Sequence, residues 1–144
     1  MDGFELDRFV LAQNGQDSYR HALAELGRGR KTSHWMWFVF PQLAGLGRSS
    51  MAQRYAISSL AEARAYLAHP VLGPRLLEVS SVLLGVPDRS AEEIFGGIDA
   101  IKLRSSMTLF TWADPTEPVF GTVLDKFFDG QPDPATDRLL AGGS

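Results

Sequence analysis

Hydrophobic residues recur at helical spacing along most of this 144-residue chain. Leu6, Phe9 and Val10 share one face of a first predicted helix, which ends near Asn14. The same spacing predicts further helices over 18–27, 60–68, 71–84, 90–95, 99–112, 118–128 and from 133 onward. The pattern therefore predicts an all-α protein without a sheet of three or more strands.

Polar residues that favour helix starts precede most of these segments. The expected N-caps, whose side chains accept bonds from unpaired backbone N–H groups, are Asp17 or Ser18, Ser59, Ser90, Asp99 and Asp133. Pro118 suits a first helical position. All loops are short, so we expect one compact domain over 1–144, built as a bundle or array of about seven to eight short helices. Its ordered core should run from about 6 to 140, with 141–144 as a flexible tail.

The segment 33–40 is ambiguous, because it contains large aromatic and β-branched residues that also suit a strand. Ser33 as N-cap and Pro41 as terminator instead favour a short helix. No other segment offers a convincing partner strand, so we favour the helix.

The predicted helix 99–112 carries apolar residues on two sides when about 100° is assigned to each residue. One side contains Leu103, Met107 and Phe110, and the other contains Ile98, Ile101, Leu109 and Trp112. A helix that is apolar on two sides is expected to be central and buried on both. Lys102 and Ser106 share one gap between the two sides, and Arg104 with Thr108 occupies the opposite gap.

Composition limits the classes of function. The net charge of −3 provides no overall attraction for nucleic acid, and the absence of cysteine excludes disulfides and thiolate metal sites. No apolar run reaches the roughly 18 residues that a membrane-spanning helix needs. The acidic start of the chain lacks a signal-peptide core, so a cytoplasmic location is expected, without a membrane partner.

The densest candidate chemistry lies in 29–42, where basic residues, hydroxyls and a histidine run into large apolar side chains. His34 has a structural role as a cap or hydrogen-bonding group beside Ser33, or it orients a ligand, or it acts as a general acid or base. A metal role is disfavoured, since His21 and His69 stand alone without ligand spacing. Trp37 is either a core residue or a surface on which a planar ligand stacks. No cofactor fingerprint is present, and we expect neither a cofactor nor a metal.

The tetrapeptide Arg-Ser-Ser-Met occurs at 48–51 and again at 104–107. A guanidinium beside hydroxyls suits a phosphate or carboxylate, because both groups donate hydrogen bonds to oxyanions. The alternative is that the serines cap helices and the arginines pair with acidic residues.

The turn 41–47 can fold the Arg48 segment back against His34. We therefore predict a single accessible pocket that contains Lys31, His34 and Arg48 and is joined by Lys102 rather than Arg104. The full set of predicted ligand-binding residues is Lys31, His34, Trp37, Arg48, Ser49, Ser50, Lys102 and Ser106. His34 is the candidate catalytic residue.

Four stretches of the chain resemble a known bacterial family. They are 30–42, 45–51, 63–73 and 102–110, and the likeness extends from about Leu6 to Leu140. The chain is similar in these motifs to the domain of unknown function family 1810. The resemblance implies a small, all-helical, single-domain protein and implies no activity. Some relatives carry a calpastatin-like label, which does not suit a compact chain because inhibitor segments of that kind are disordered.

Two functional hypotheses follow. In the first, the protein binds a small anionic ligand, phosphorylated or nucleotide-like, and in one version also processes it. In the second, it is a protein-interaction module without catalytic activity, which uses an Arg/Trp-rich surface as its hot spot. Nucleic-acid binding is disfavoured by the net negative charge.

Overall fold

A computed structural model describes residues 3–142, which fold into helices joined by short loops. The helices are α1 (Asp7–Asn14), α2 (Ser18–Gly27), α3 (Met36–Val39), α4 (Ser50–Arg54), α5 (Leu60–Ala68), α6 (Leu72–Leu84), α7 (Ala91–Phe95), α8 (Gly97–Ala113), α9 (Pro118–Phe128) and α10 (Pro134–Ala141). Within 3–142 there is no β-strand, and Leu43 and Ile57 form an isolated bridge. The all-α prediction is confirmed. The helix that no predicted segment covered is α4, which has only five residues and shows no hydrophobic period.

Most predicted helix starts are confirmed. Ser59, Ser90 and Asp133 each accept a bond from a backbone N–H of the first turn, and Ser90 forms a capping box with Glu93. Pro118 occupies the first position of α9. These caps satisfy N–H groups that have no partner inside the helix.

Two predicted caps are wrong. Asp17 precedes α2 in a left-handed conformation, and neither it nor Ser18 makes a side-chain cap bond to the helix. Helix α8 begins at Gly97, so Asp99 lies inside its first turn rather than before it. Gly96, with φ of 82°, makes the turn between α7 and α8, a conformation that favours glycine. The carboxylate of Asp99 is consequently free to contact lysines.

Helix α8 is central, as predicted. It packs against α5, α7, α9 and α10, and Leu103 and Met107 are both fully buried. Aromatic rings surround it, with Phe110 in contact with Tyr66 of α5 and Phe120 of α9. The buried hydrophobic residues form one cluster, which extends from Leu6 to Leu140.

The second apolar side predicted for α8 is only partly buried. Leu109 is in the core, but Ile98 and Ile101 are 75% and 63% exposed and Trp112 is 37% exposed. The first turns of α8 leave this side open to solvent, while the Trp112 indole donates to Asp137 of α10 at 2.9 Å. The prediction that this side is buried, which rested on apolar residue type, is therefore wrong at Ile98, Ile101 and Trp112.

The predicted tail extends beyond the described part of the chain. Ala141 is the last residue of α10, and residues 143–144 lie outside the described range. Within 3–142, no helix has the length and apolar character needed to cross a bilayer.

Candidate functional site

A buried carboxylate holds the segment that precedes α3. Glu25 of α2 is only 2% exposed, and it accepts hydrogen bonds from the backbone N–H groups of Thr32 and Ser33 at 2.7 and 2.9 Å. It also accepts from the Ser33 hydroxyl at 2.5 Å and from the Trp35 indole Nε1 at 2.9 Å. Four donor groups from Thr32, Ser33 and Trp35 therefore fix the path of this segment against α2.

These bonds keep Glu25 ionised. Burial raises the pKa of its carboxyl, but the hydrogen bonds, led by that of the Ser33 hydroxyl, outweigh burial and lower the pKa from 4.5 to about 2. No cation pairs with Glu25 in the part of the chain that the structure describes. Its charge is stabilised by neutral donors alone.

The helix expected over 33–40 is present, but it is shorter than predicted. Helix α3 spans Met36–Val39 and ends before Pro41, as predicted. Ser33 is not its N-cap, because Trp35 holds that position and the Ser33 hydroxyl binds Glu25. The serine thus anchors the loop rather than the helix.

Lys31 is held tightly on the other side of the same segment. Its Nζ lies 2.9 Å from Oδ2 of Asp99 and donates to the carbonyl of Ser33 at 2.6 Å. It also lies 5.1 Å from the centre of a Trp35 ring, in cation–π geometry. The side chain is only 9% exposed, so Lys31 contributes mainly to holding the folded segment in place.

Lys102 approaches the same carboxylate more loosely. Its Nζ lies 3.6 Å from Oδ1 of Asp99 and 5.2 Å from the centre of a Trp37 ring. Lys31, Asp99 and Lys102 are called the basic cluster below; its formal charge is +1. The structure therefore brings together Lys31, Trp37 and Lys102 from the predicted set.

Two buried donors close to this cluster lack a partner. The Trp37 indole Nε1 and the Ser106 hydroxyl make no hydrogen bond within the described residues, although both atoms are shielded from solvent. Ser106 lies one helical turn after Lys102, and Trp37 lies beneath the Lys102 ammonium group. Buried donors are normally satisfied, so each unpaired one calls for an explanation.

His34 faces a different part of the surface. It lines a cleft of about 300 Å³ together with Gln16, Ser18, His21, Ser33 and Trp35. The imidazole is exposed, and in the described chain it forms no ion pair with the basic cluster. His34 and His21 thus line one cleft, which the spacing of the sequence did not suggest.

The first Arg-Ser-Ser-Met copy is at the surface. The Ser49 hydroxyl accepts from the Ala52 N–H at 3.1 Å and so caps α4, and Ser50 is the exposed first residue of that helix. The exposed Arg48 side chain makes no hydrogen bond or ion pair to any other described residue, Lys31 and His34 included. The alternative interpretation of capping serines thus describes Ser49.

The second copy divides its side chains between two sides of α8. Arg104 donates to the Gln131 carbonyl at 2.9 Å, in the loop after α9, and the Ser105 hydroxyl reaches Asp133 at 3.2 Å. For Arg104 the sequence predicted a carboxylate or the surface on the far side of the helix, and the structure shows an exposed bond to a backbone carbonyl. Ser106 stays on the Lys102 side.

Sequence reasoning missed Glu25 and Asp99. Glu25 lies three residues after Ala22 and therefore on the buried face of α2, a position where an acidic residue is unusual. Asp99 precedes Lys102 by three residues, which is the spacing of a helical ion pair. Both signals are visible in the sequence. Among residues 3–142 there is no group of three or more His, Cys, Asp or Glu side chains placed to hold a metal ion.

Comparison with known proteins assigns this chain to a family. The chain matches the family described as protein of unknown function DUF1810 over residues 3–140, and it belongs to that family. It is also similar to the crystal structure of the conserved hypothetical protein Rv1873 from Mycobacterium tuberculosis, with 54% sequence identity and a TM-score of 0.94. The alignment covers 97% of this chain and 99% of the other. The comparison with curated proteins gave no match.

Proposed function

We propose that this protein binds a small anionic ligand, phosphorylated or nucleotide-like, at the basic cluster. The observation that carries the proposal is the pair of buried donors without partners, Trp37 Nε1 and the Ser106 hydroxyl, beside a loosely held ammonium group. An acceptor-rich ligand would supply the hydrogen bonds that these donors lack.

The charges of the cluster assign different roles to its two lysines. Lys31 lies 2.9 Å from Asp99 and also binds a backbone carbonyl, so it neutralises the carboxylate and holds the loop. Lys102 is 3.6 Å from the same carboxylate and retains donor capacity. An oxyanion that meets Lys102 gains a charge-assisted hydrogen bond at small cost to the existing pair.

Trp37 supplies the second element of recognition. The Lys102 ammonium lies over its indole, so movement of Lys102 onto a ligand would uncover an aromatic face. A planar group such as a nucleobase can stack on that face. An anion joined to a planar group fits Lys102 and Trp37 together, which is why we favour a nucleotide-like ligand.

The remaining predicted residues, except His34, are proposed as outer contacts. Arg48 with Ser49 and Ser50 would contact an anionic group at the surface, whereas His34 lines a separate cleft and is given no part in the anion site. Arg48 is free to do so, since its side chain has no partner within 3–142.

A thermal-shift screen tests the proposal. The probes are inorganic phosphate, adenosine monophosphate and citrate, applied to the wild type and to Lys102→Met, which keeps most of the stem and removes the charge. A ligand at one hundred times its Kd stabilises the folded state by about 2.7 kcal/mol, a shift of several degrees in Tm. We expect a shift for at least one probe in the wild type and none in Lys102→Met.

Two further variants complete the design. Arg64→Met removes an exposed cation of α5 and should leave the shift intact. Arg48→Ala tests the outer contact, and loss of the shift in a folded variant would place Arg48 in the site. Equal shifts in the wild type and in Lys102→Met, or no shift with any probe, would contradict the proposal.

A protein-interaction surface is the second candidate. The specific observation in its favour is that Ile98 and Ile101 are 75% and 63% exposed on α8, next to Lys102. In that case small anions should give no shift, and a purified partner should lose affinity for Ile101→Asp while retaining it for Lys102→Met.

A further inference from the structure

We infer that the cleft between the start of α2 and the segment before α3 is a second site, which takes a small organic cation of the guanidinium or primary amine class. The cleft has a volume of about 300 Å³. Its lining consists of Gln16, Ser18, His21, Ser33, His34 and Trp35. The inference does not depend on the proposed anion site.

The hydroxyl groups of the cleft can only accept hydrogen bonds. The Ser18 hydroxyl donates its proton to the Gly15 carbonyl at 2.7 Å, and the Ser33 hydroxyl donates to Glu25 at 2.5 Å. The Trp35 indole N–H is also used, since it donates to Glu25. What these groups still offer is the lone pairs of two oxygens, which suit a ligand rich in N–H donors.

Three further side chains of the lining are uncommitted. Within the described range, the Gln16 amide and the imidazoles of His21 and His34 form no hydrogen bond. Each can accept from a donor-rich ligand through an amide oxygen or an unprotonated ring nitrogen. The imidazole rings and the Trp35 indole also offer flat faces to a guanidinium plane.

The charge behind the cleft favours a cation. Glu25 is ionised and lies directly behind Ser33 and Trp35, where all four of its partners are neutral donors. Lys31 pairs with Asp99, and Arg20, Arg28 and Arg30 are exposed, so that solvent screens their charges. An ammonium or guanidinium group in the cleft would therefore lie near a carboxylate that has no ion-pair partner among the described residues.

The backbone beside the cleft has an uncommon conformation. Gln16 and Asp17 have φ angles of 52° and 56°, so two consecutive non-glycine residues lie in the left-handed region. Such conformations are unfavourable and cluster at binding sites, where the surrounding structure imposes them. Gln16 is also one of the residues that line the cleft.

An NMR titration with agmatine, which carries a guanidinium and a primary ammonium group, tests the inference. The chain has three histidines, and His69 serves as an internal control because its Nδ1 accepts from the N–H groups that open α6. At pH 8, above the range in which histidine usually titrates, agmatine should shift the ring signals of His21 and His34 saturably and leave those of His69 in place.

A matched variant and two probes sharpen the experiment. Gln16→Gly removes the amide while tolerating a positive φ, so the fold should survive and agmatine affinity should fall about tenfold. Ribitol, a neutral polyol of similar size, and inorganic phosphate should leave the His21 and His34 signals in place. The inference is overturned if agmatine gives no saturable shift, if all three histidines respond alike, or if ribitol or phosphate moves His21 and His34 as agmatine does.

Discussion

Two tryptophans separated by one residue show opposite hydrogen-bonding states. The Trp35 indole donates to Glu25, whose carboxylate collects four donors and is fully enclosed. The Trp37 indole N–H has no acceptor among residues 3–142, nor does the Ser106 hydroxyl. On the first side every donor to Glu25 is already paired, and these bonds fix the backbone. The second side has two buried donors without acceptors, and we propose that a ligand supplies those acceptors.

The largest expected effect concerns the helix that supports the second side. Leu103→Ala and Met107→Ala should each lower the free energy of unfolding by about 2–5 kcal/mol, because both side chains are fully buried and leave cavities. Denaturant titration measures the loss. Ile101→Ala, on the exposed side of α8, should stay within about 0.5 kcal/mol of the wild type. Similar small losses for all three would contradict the central position of α8.

The buried Glu25 carboxylate should make the stability of the protein depend on pH. The pKa of Glu25 is lowered to about 2 in the folded protein, against 4.5 for the free group. The stabilisation is therefore complete above pH 4.5 and is lost as the pH falls toward 2, with a total of about 3 kcal/mol. Denaturant titrations across this range should show the loss in the wild type.

Glu25→Gln provides the comparison. This variant should be less stable at neutral pH and should lack that part of the acid dependence. Glu92→Gln, which changes an exposed carboxylate of α7, should keep the wild-type profile. Parallel profiles for Glu25→Gln and the wild type would show that Glu25 does not carry this stabilisation.

Replacing serine by alanine at two positions compares a hydroxyl that is hydrogen-bonded with one that has no described partner. Ser33→Ala removes a hydrogen bond to a charged carboxylate and should cost about 1.5–3 kcal/mol. Ser106→Ala removes a buried hydroxyl that has no described partner and should change stability by less than about 0.5 kcal/mol. A large loss for Ser106→Ala would mean that this hydroxyl is already satisfied, and the contrast between the two sides would fail.

A small effect on stability is expected for Lys102. Its partly exposed pair with Asp99 is 3.6 Å long, so Lys102→Met should cost less than about 1 kcal/mol. Lys31→Met should cost more, about 2 kcal/mol, because it leaves the Ser33 carbonyl without its donor and Asp99 with only the longer pair to Lys102. Equal losses would show that the two lysines are held alike and that Lys102 has no donor capacity to spare.

The fold could be predicted from the sequence where a hydrophobic period and a cap agree, as at Ser59, Ser90 and Asp133. Prediction failed where a polar residue had a distant partner. Ser33 looked like a cap but binds Glu25, and Asp99 looked like a cap but lies within α8 against two lysines. The contacts of Ser33 with Glu25 and of Asp99 with Lys31 depend on tertiary packing, which local patterns do not contain.

The candidate site was predictable only in part. The shared side of Lys102 and Ser106 follows from the helical repeat, and that side indeed carries the basic cluster. The separate positions of His34 and Arg48 do not follow from any repeat, since the chain between them makes turns whose direction is set by packing. Glu25 was overlooked because its importance comes from the donors that surround it.

The indole N–H signals of the three tryptophans test the central claim most directly. In ¹H–¹⁵N spectra recorded during titration with adenosine monophosphate and inorganic phosphate, the Trp37 signal should shift saturably as its N–H gains an acceptor. The Trp35 and Trp112 signals should stay in place, because those N–H groups already donate to Glu25 and Asp137. A Trp37 signal that does not respond to either probe, or that responds equally in Lys102→Met, would contradict the account.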